Sequence, residues 1–249
     1  MRPLLFAANW KMNLGPAEAR TYCQTFLAAA GPQAGREVWF FPPAVSLETV
    51  AQATRGRSDL RAGVQDVYWE SKGAFTGAVS APLAAQAGAT AALIGHSERR
   101  HVFNESDADT ARKVRAVLAA GLLPVLCVGE LLSEREAGAT LTVVQRQLDA
   151  ALEGLDRAGL AQLVVAYEPV WAIGTGKNAT PQDAAAVHRE IRARLRKLGV
   201  PSPRVLYGGS VNLKNIADLL AESELDGVLV GGASLDPAQW AQLVQAHAT

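Results

Sequence analysis

Apolar residues in this 249-residue chain gather in short runs that recur from one end to the other. Eight such runs fall at residues 4–8, 38–41, 60–65, 91–94, 122–128, 163–167, 205–207 and 228–230, and most are apolar throughout instead of alternating with polar positions. Strands covered on both faces have that composition, and parallel sheets are its usual setting. Between the runs, Ala, Leu and Arg repeat with helical spacing, for example over residues 110–120, 140–155, 181–198 and 213–221. The punctuation agrees. Thr180, Pro181 and Asp183 supply a cap, a first-turn proline and an early acid, while Gly121 and Gly199 stand where helices should stop. Eight strand–helix units fill a chain close to the ~250 residues typical of a closed (β/α)8 barrel. The expectation is the α/β class: one closed (β/α)8-barrel domain over residues 1–249, rather than an open doubly wound sheet.

Composition acts mainly by exclusion. Twenty-four basic residues balance 24 acidic ones, so no basic stripe is available to neutralise a nucleic-acid backbone. No stretch approaches the ~18 apolar residues of a membrane span. The run Met1-Arg2-Pro3-Leu4-Leu5-Phe6 meets Asn9 and Lys11 too early for a secretory signal. Cys23 and Cys127 are too few and too far apart to imply a disulfide framework or a metal site. The expected location is the cytoplasm.

In a (β/α)8 barrel, chemistry collects at the C-terminal ends of the strands. Unusual polar residues fall there. Strand 1 ends in Asn9-Trp10-Lys11-Met12-Asn13 and strand 4 in Gly95-His96-Ser97-Glu98-Arg99-Arg100. Strand 6 runs into Glu168-Pro169-Val170-Trp171-Ala172-Ile173-Gly174-Thr175-Gly176. Strand 7 ends in Tyr207-Gly208-Gly209-Ser210 and strand 8 in Gly231-Gly232-Ala233-Ser234.

Glu168 should sit partly desolvated at the barrel mouth, where burial raises a carboxyl pKa toward the range useful to a general base. A structural carboxylate paired with an arginine is the alternative. The segment after it has a stiff start, a large apolar anchor and a glycine-rich tip, the make-up of a lid whose backbone N–H groups can meet an anion. His96 precedes a short helix expected over residues 97–103. A helix N-terminus disfavours a charged imidazole, so a neutral His96 could pass protons between two substrate oxygens. His101, His188 and His247 are read as locally satisfied side chains. Lys11 can serve as a fixed cation for an oxyanion, held by Glu98; a Schiff-base lysine is the competing reading. The glycines at the ends of strands 7 and 8 let backbone N–H groups approach a phosphate closely.

These five segments, in order and across nearly the whole chain, resemble triosephosphate isomerases. The resemblance implies that Glu168 abstracts a proton, that His96 is the electrophile and shuttle, that Lys11 stabilises the oxyanion and that Asn9 orients substrate. Gly174, Ser210, Gly231 and Gly232 would contact the phosphate through their backbone, with Ser97, Glu98, Cys127 and Tyr207 in support. Cys127 is read as a buried packing residue. The implied reaction interconverts dihydroxyacetone phosphate and D-glyceraldehyde 3-phosphate without cofactor or metal. Another phosphosugar barrel isomerase or aldolase, and a catalytically dead scaffold, are the other readings. The resemblance also implies a homodimer, in which the loop from Val67 to Ala78, carrying Tyr68, Trp69 and Phe75, inserts beside the partner's lysine and brings Thr76 near it. Two positions depart from the family pattern at that contact: Asp66 follows Gln65 where asparagine is usual, and Ala78 stands where an acid is common.

Overall fold

The computed structural model describes residues 3–173 and 179–247. Its eight strands are β1 (Leu4–Asn9), β2 (Arg36–Phe41), β3 (Leu60–Val64), β4 (Ala91–Ile94), β5 (Leu123–Val128), β6 (Val164–Tyr167), β7 (Arg204–Tyr207) and β8 (Gly227–Val230). They close into a barrel in chain order, and every neighbouring pair, including β1 with β8, is parallel. Each strand lies within three residues of its expected run at either end.

The reason for the uninterrupted apolar runs is visible in two separate cores. Leu5, Ala7, Trp39, Phe41, Ala91, Leu93, Val125, Cys127, Val164, Ala166, Leu206 and Leu229 pack with one another inside the barrel. Their neighbours Phe6, Ala8, Val38, Phe40, Ala92, Ile94 and Leu126 pack outward against the helices. Successive strand side chains point to opposite faces, and here both faces are dry. Large Trp39 and Phe41 share the interior with small Ala7, Ala91 and Ala166, which keeps the centre filled.

Local chemistry explains the helix ends. Thr180 caps helix Pro181–Lys197 by accepting from the Asp183 N–H, while the Asp183 carboxylate accepts from the Thr180 N–H. Ser106 and Asp109 do the same for helix Asp107–Ala119. Three boundaries differ from expectation by three residues, the first being the early start of helix Asp107–Ala119 at its Ser106 cap. The helix expected over residues 140–155 stops at Leu152, because Glu153 leaves helical backbone and Gly154 turns at φ 74°. The one expected over residues 213–221 begins only at Ile216, because Asn212 and Asn215 bond each other and their neighbours in a turn ahead of it. Among the described residues no helix is long and apolar enough to cross a membrane.

Candidate active site

Glu168 is the first residue beyond β6. Its N–H donates to the Val128 carbonyl of β5, and the Gly208 N–H beyond β7 donates to the Tyr167 carbonyl, so the ladder holds its backbone on both sides. A side chain at position 208 would bring Cβ within 2.8 Å of Glu168 Cγ, so the carboxylate has room only because glycine is there. The residue is 2% exposed.

Across the mouth, Gly95 ends β4 at φ 68°, and His96 caps helix Ser97–Val102. The Glu98 N–H donates to His96 Nδ1, which places the imidazole proton on Nε2. Nε2 then donates to Glu168 Oε1 at 3.0 Å, and the Ser97 N–H donates to Oε2 at 2.9 Å. Two residues 72 positions apart in the chain thus form one buried acid–base pair.

The electrostatics correct the sequence expectation for Glu168. Burial pushes its carboxyl up, but His96, the Ser97 N–H and Lys11 outweigh burial and leave it below the usual carboxylate range. His96 shows the converse: burial pulls it down, and the facing Glu168, with Glu98, moves the balance upward. The expectation considered desolvation alone and lacked the partner that only folding supplies.

Lys11 adopts the left-handed backbone, φ 51°, a conformation that costs a non-glycine residue of order 1–2 kcal/mol. Side chains hold it there. Asn9 Oδ1 accepts from the Lys11 N–H, and Gln65 Nε2 donates to both the Lys11 and the Phe41 carbonyls. Lys11 Nζ donates to Glu98 Oε1 at 2.6 Å, as expected of the pair. Its stem runs so close to Gly231 that a Cβ there would meet Cε at 3.1 Å. The ammonium is therefore stretched between the acid–base pair and the end of β8.

Asn9, Lys11, His96 and Glu168 share one cavity of about 240 Å³ with Ile173 and with residues 208–211 and 229–233. Of the expected phosphate contacts, Ser210, Gly231 and Gly232 line it; Gly174 lies outside the described residues. Tyr207 is buried below them, its hydroxyl pushed up to about 12 chiefly by burial. Cys127 is fully buried in the inner core beneath Glu168, its thiol pushed well up by burial and by that carboxylate. His188 is buried too, with Nδ1 against the Glu224 carbonyl at 3.1 Å. Among the described residues no group of three or more His, Cys, Asp or Glu is placed to hold a metal ion.

Three residues that brace the site were given no role from the sequence. Gln65 was noted only as a landmark, yet it holds the Lys11 turn. Glu130, wholly buried beyond β5, accepts from Tyr167 Oη at 3.1 Å and from Trp171 Nε1 at 3.0 Å, anchoring the start of the expected lid. Arg100 is the third. The same rule that found the others, a polar residue directly after an apolar strand, marks Glu130.

Residues 4–247 match the family model described as triosephosphate isomerase. The chain is 45% identical over 248 residues to the triosephosphate isomerase of Solibacter usitatus, covering 98% of this chain and 99% of that one. It is 47% identical to the one from Moorella thermoacetica, covering 98% of both chains. Against the one from Aquifex aeolicus it is 43% identical over 96% of this chain and 98% of that one. With the barrel, the paired Glu168 and His96 and the glycine-rich strand ends already in place, this match identifies the chain as a member of the triosephosphate isomerase family.

Proposed function

We propose that the chain interconverts dihydroxyacetone phosphate and D-glyceraldehyde 3-phosphate, with Glu168 as the base, His96 as electrophile and proton shuttle, Lys11 as the oxyanion's cation and Asn9 as an orienting group. The observation that carries this division of labour is the 3.0 Å pair between His96 Nε2 and Glu168 Oε1 at the wall of the cavity shared with Lys11. A triose between the two side chains replaces their mutual bond with bonds to itself. Glu168 then takes the proton from the carbon bearing the hydroxyl, and the electron pair moves to the carbonyl oxygen. His96 Nε2–H and Lys11 Nζ face the resulting enediolate. His96 moves a proton between the two oxygens, and Glu168 returns its proton to the adjacent carbon, so nothing is gained or lost. Asn9 spends its Oδ1 on the Lys11 turn, leaving its amide N–H groups for substrate.

The phosphate falls to Ser210, Gly231 and Gly232 through their backbone, with Gly174 from the lid; Ser97, Glu98, Cys127 and Tyr207 support the site. Lys11 argues against a Schiff-base aldolase, because a lysine that attacks a carbonyl must be neutral and this one is ion-paired with Glu98. No cofactor or metal enters the scheme. The reaction belongs to glycolysis and gluconeogenesis, and the assigned location is the cytoplasm. A coupled assay with glyceraldehyde 3-phosphate and neither metal nor nucleotide should show turnover; none would refute the reading.

The proposal extends to one domain per chain and a homodimer. Among the described residues, Met12, Val45, Phe75, Leu83, Val102 and Phe103 are each 40% exposed or more and lie on segments that follow β1 to β4, against Leu141 and Leu213 elsewhere. Isolated exposed apolar residues are ordinary, but a group on one side of a barrel fits an interface. In the loop from Val67 to Ala78, Tyr68 stacks on Trp69 at 4.1 Å and on Phe75 at 4.6 Å, so the rings stiffen the loop while residues 70–78 stay exposed. Ala78 leaves no gap in charge, because Arg99 meets Asp66 and Glu105 within its own chain, each at 3.2 Å. Ultracentrifugation at micromolar concentration should show a dimer; a fully active monomer would refute it.

A further inference from the structure

Arg100 has not entered the chemistry, although its guanidinium is 6% exposed and lies directly behind the acid–base pair. The ladder between β4 and β5 runs from Ala91 opposite Leu123 to Ile94 opposite Leu126 and stops there. Gly95 turns away at φ 68° to deliver His96, so its carbonyl and that of Cys127 are left for side-chain donors. Arg100 supplies them. Its Nε donates to the Gly95 carbonyl at 2.7 Å and its NH2 group to the Cys127 carbonyl at 3.2 Å. Its NH1 group donates to Asp107 Oδ1 at 2.7 Å, and Arg146 pairs with the other oxygen of that carboxylate. One planar cation thus fastens the peptide that precedes His96 to the strand end on which Glu168 hangs through its bond to the Val128 carbonyl.

We propose that Arg100 is a positioning residue for the isomerisation: it sets the separation of His96 and Glu168 by bridging the open ends of β4 and β5, with Asp107 holding the guanidinium in its plane. Other side chains cannot do this in the same way. Lysine carries the charge but not a rigid fork of donors, and glutamine lacks the charge that pairs with Asp107 and has no third donor for it. The phosphate cradle is on β7 and β8, on the far side of the cavity, and owes nothing to this bridge. Loss of the bridge should therefore slow the chemical step and spare binding. A reacting group misplaced by ~1 Å costs as much as ~100-fold in rate.

The inference rests on the assignment of His96 and Glu168, so Glu168→Gln is measured beside the Arg100 variants. The test is kcat and KM for glyceraldehyde 3-phosphate, inhibition by inorganic phosphate, and thermal midpoint, for Arg100→Lys, Arg100→Gln and Asp107→Asn. Expected is a kcat about 10- to 100-fold lower in Arg100→Gln, with KM and phosphate inhibition within about twofold. Arg100→Lys should recover part of that loss, and Asp107→Asn should show a smaller loss of the same kind. A lowered thermal midpoint with normal kcat, in whichever variants fold, would mean that Arg100 only stabilises, and the inference fails alone. Should Glu168→Gln remain active, the site assignment fails and takes the inference with it.

Discussion

The two banks of the cavity are built in opposite ways. On the bank proposed to react, beyond β1, β4 and β6, every group assigned a role is a side chain, and each is fixed by a directional bond to something else. Lys11 is held by Glu98 and by a strained turn tied to Asn9 and Gln65; His96 is held by the Glu98 N–H; Glu168 is held by Ser97. On the opposite bank, beyond β7 and β8, the lining is 208–211 and 229–233, where glycine recurs and no side chain is ionisable. Proton transfer needs groups whose charge changes and whose geometry cannot drift. A phosphate keeps its charge throughout the reaction, so backbone N–H groups suffice for it. Substitutions on the first bank should act on kcat, and those on the second on KM.

The largest test of that division is Glu168→Gln, which keeps shape and removes the base. Turnover of the folded protein should fall by about 10²–10⁴, with inhibition by inorganic phosphate little changed. Near-normal turnover would dissolve the distinction at once. Lys11→Met comes next. It removes the oxyanion's fixed cation, worth about 3–4 kcal/mol or some 10²–10³ in kcat. A covalent adduct trapped at Lys11 by borohydride with substrate would instead make it a Schiff-base residue.

Gly232→Ala probes the cradle. A Cβ there meets no protein atom within 4 Å, so the methyl intrudes on the cavity and not on the fold. KM should rise about tenfold, the equivalent of one charge-assisted hydrogen bond, with kcat within about threefold. A drop confined to kcat would show that the cradle takes part in the chemical step.

The smallest effect lies off both banks. His188 is wholly buried and its imidazole is pushed down to about 3 by burial, so the folded chain refuses a proton that the unfolded chain accepts below about 6.5. Stability from this residue is complete above pH 6.5 and drains away as pH falls toward 3. Between pH 6.5 and 5, where few carboxylates titrate, the thermal midpoint should fall more steeply in the native protein than in His188→Gln. Equal slopes would clear His188 of that role.

Much of this was legible in the residue order, for a physical reason. A strand buried on both faces must be apolar throughout, so the eight runs declare both the strands and their parallel, helix-covered setting. A polar residue placed just after such a run sits at the mouth end of the barrel, which is why Asn9, Lys11, His96, Glu168 and the glycines of β7 and β8 could be placed around one cavity from their positions. What depends on pairing across the barrel could not. The lowered carboxyl of Glu168 comes from His96, 72 residues away, and from the Ser97 N–H. The strained turn of Lys11 is kept by Gln65, and Arg100 closes a gap that exists only because β4 ends before β5. Hydrophobic period and turn chemistry act between neighbours in the chain, and so they are written there. Proton affinity, strain and the bridging of strand ends are set by distances of about 3 Å between groups remote in sequence, and those distances come into being only when the barrel closes.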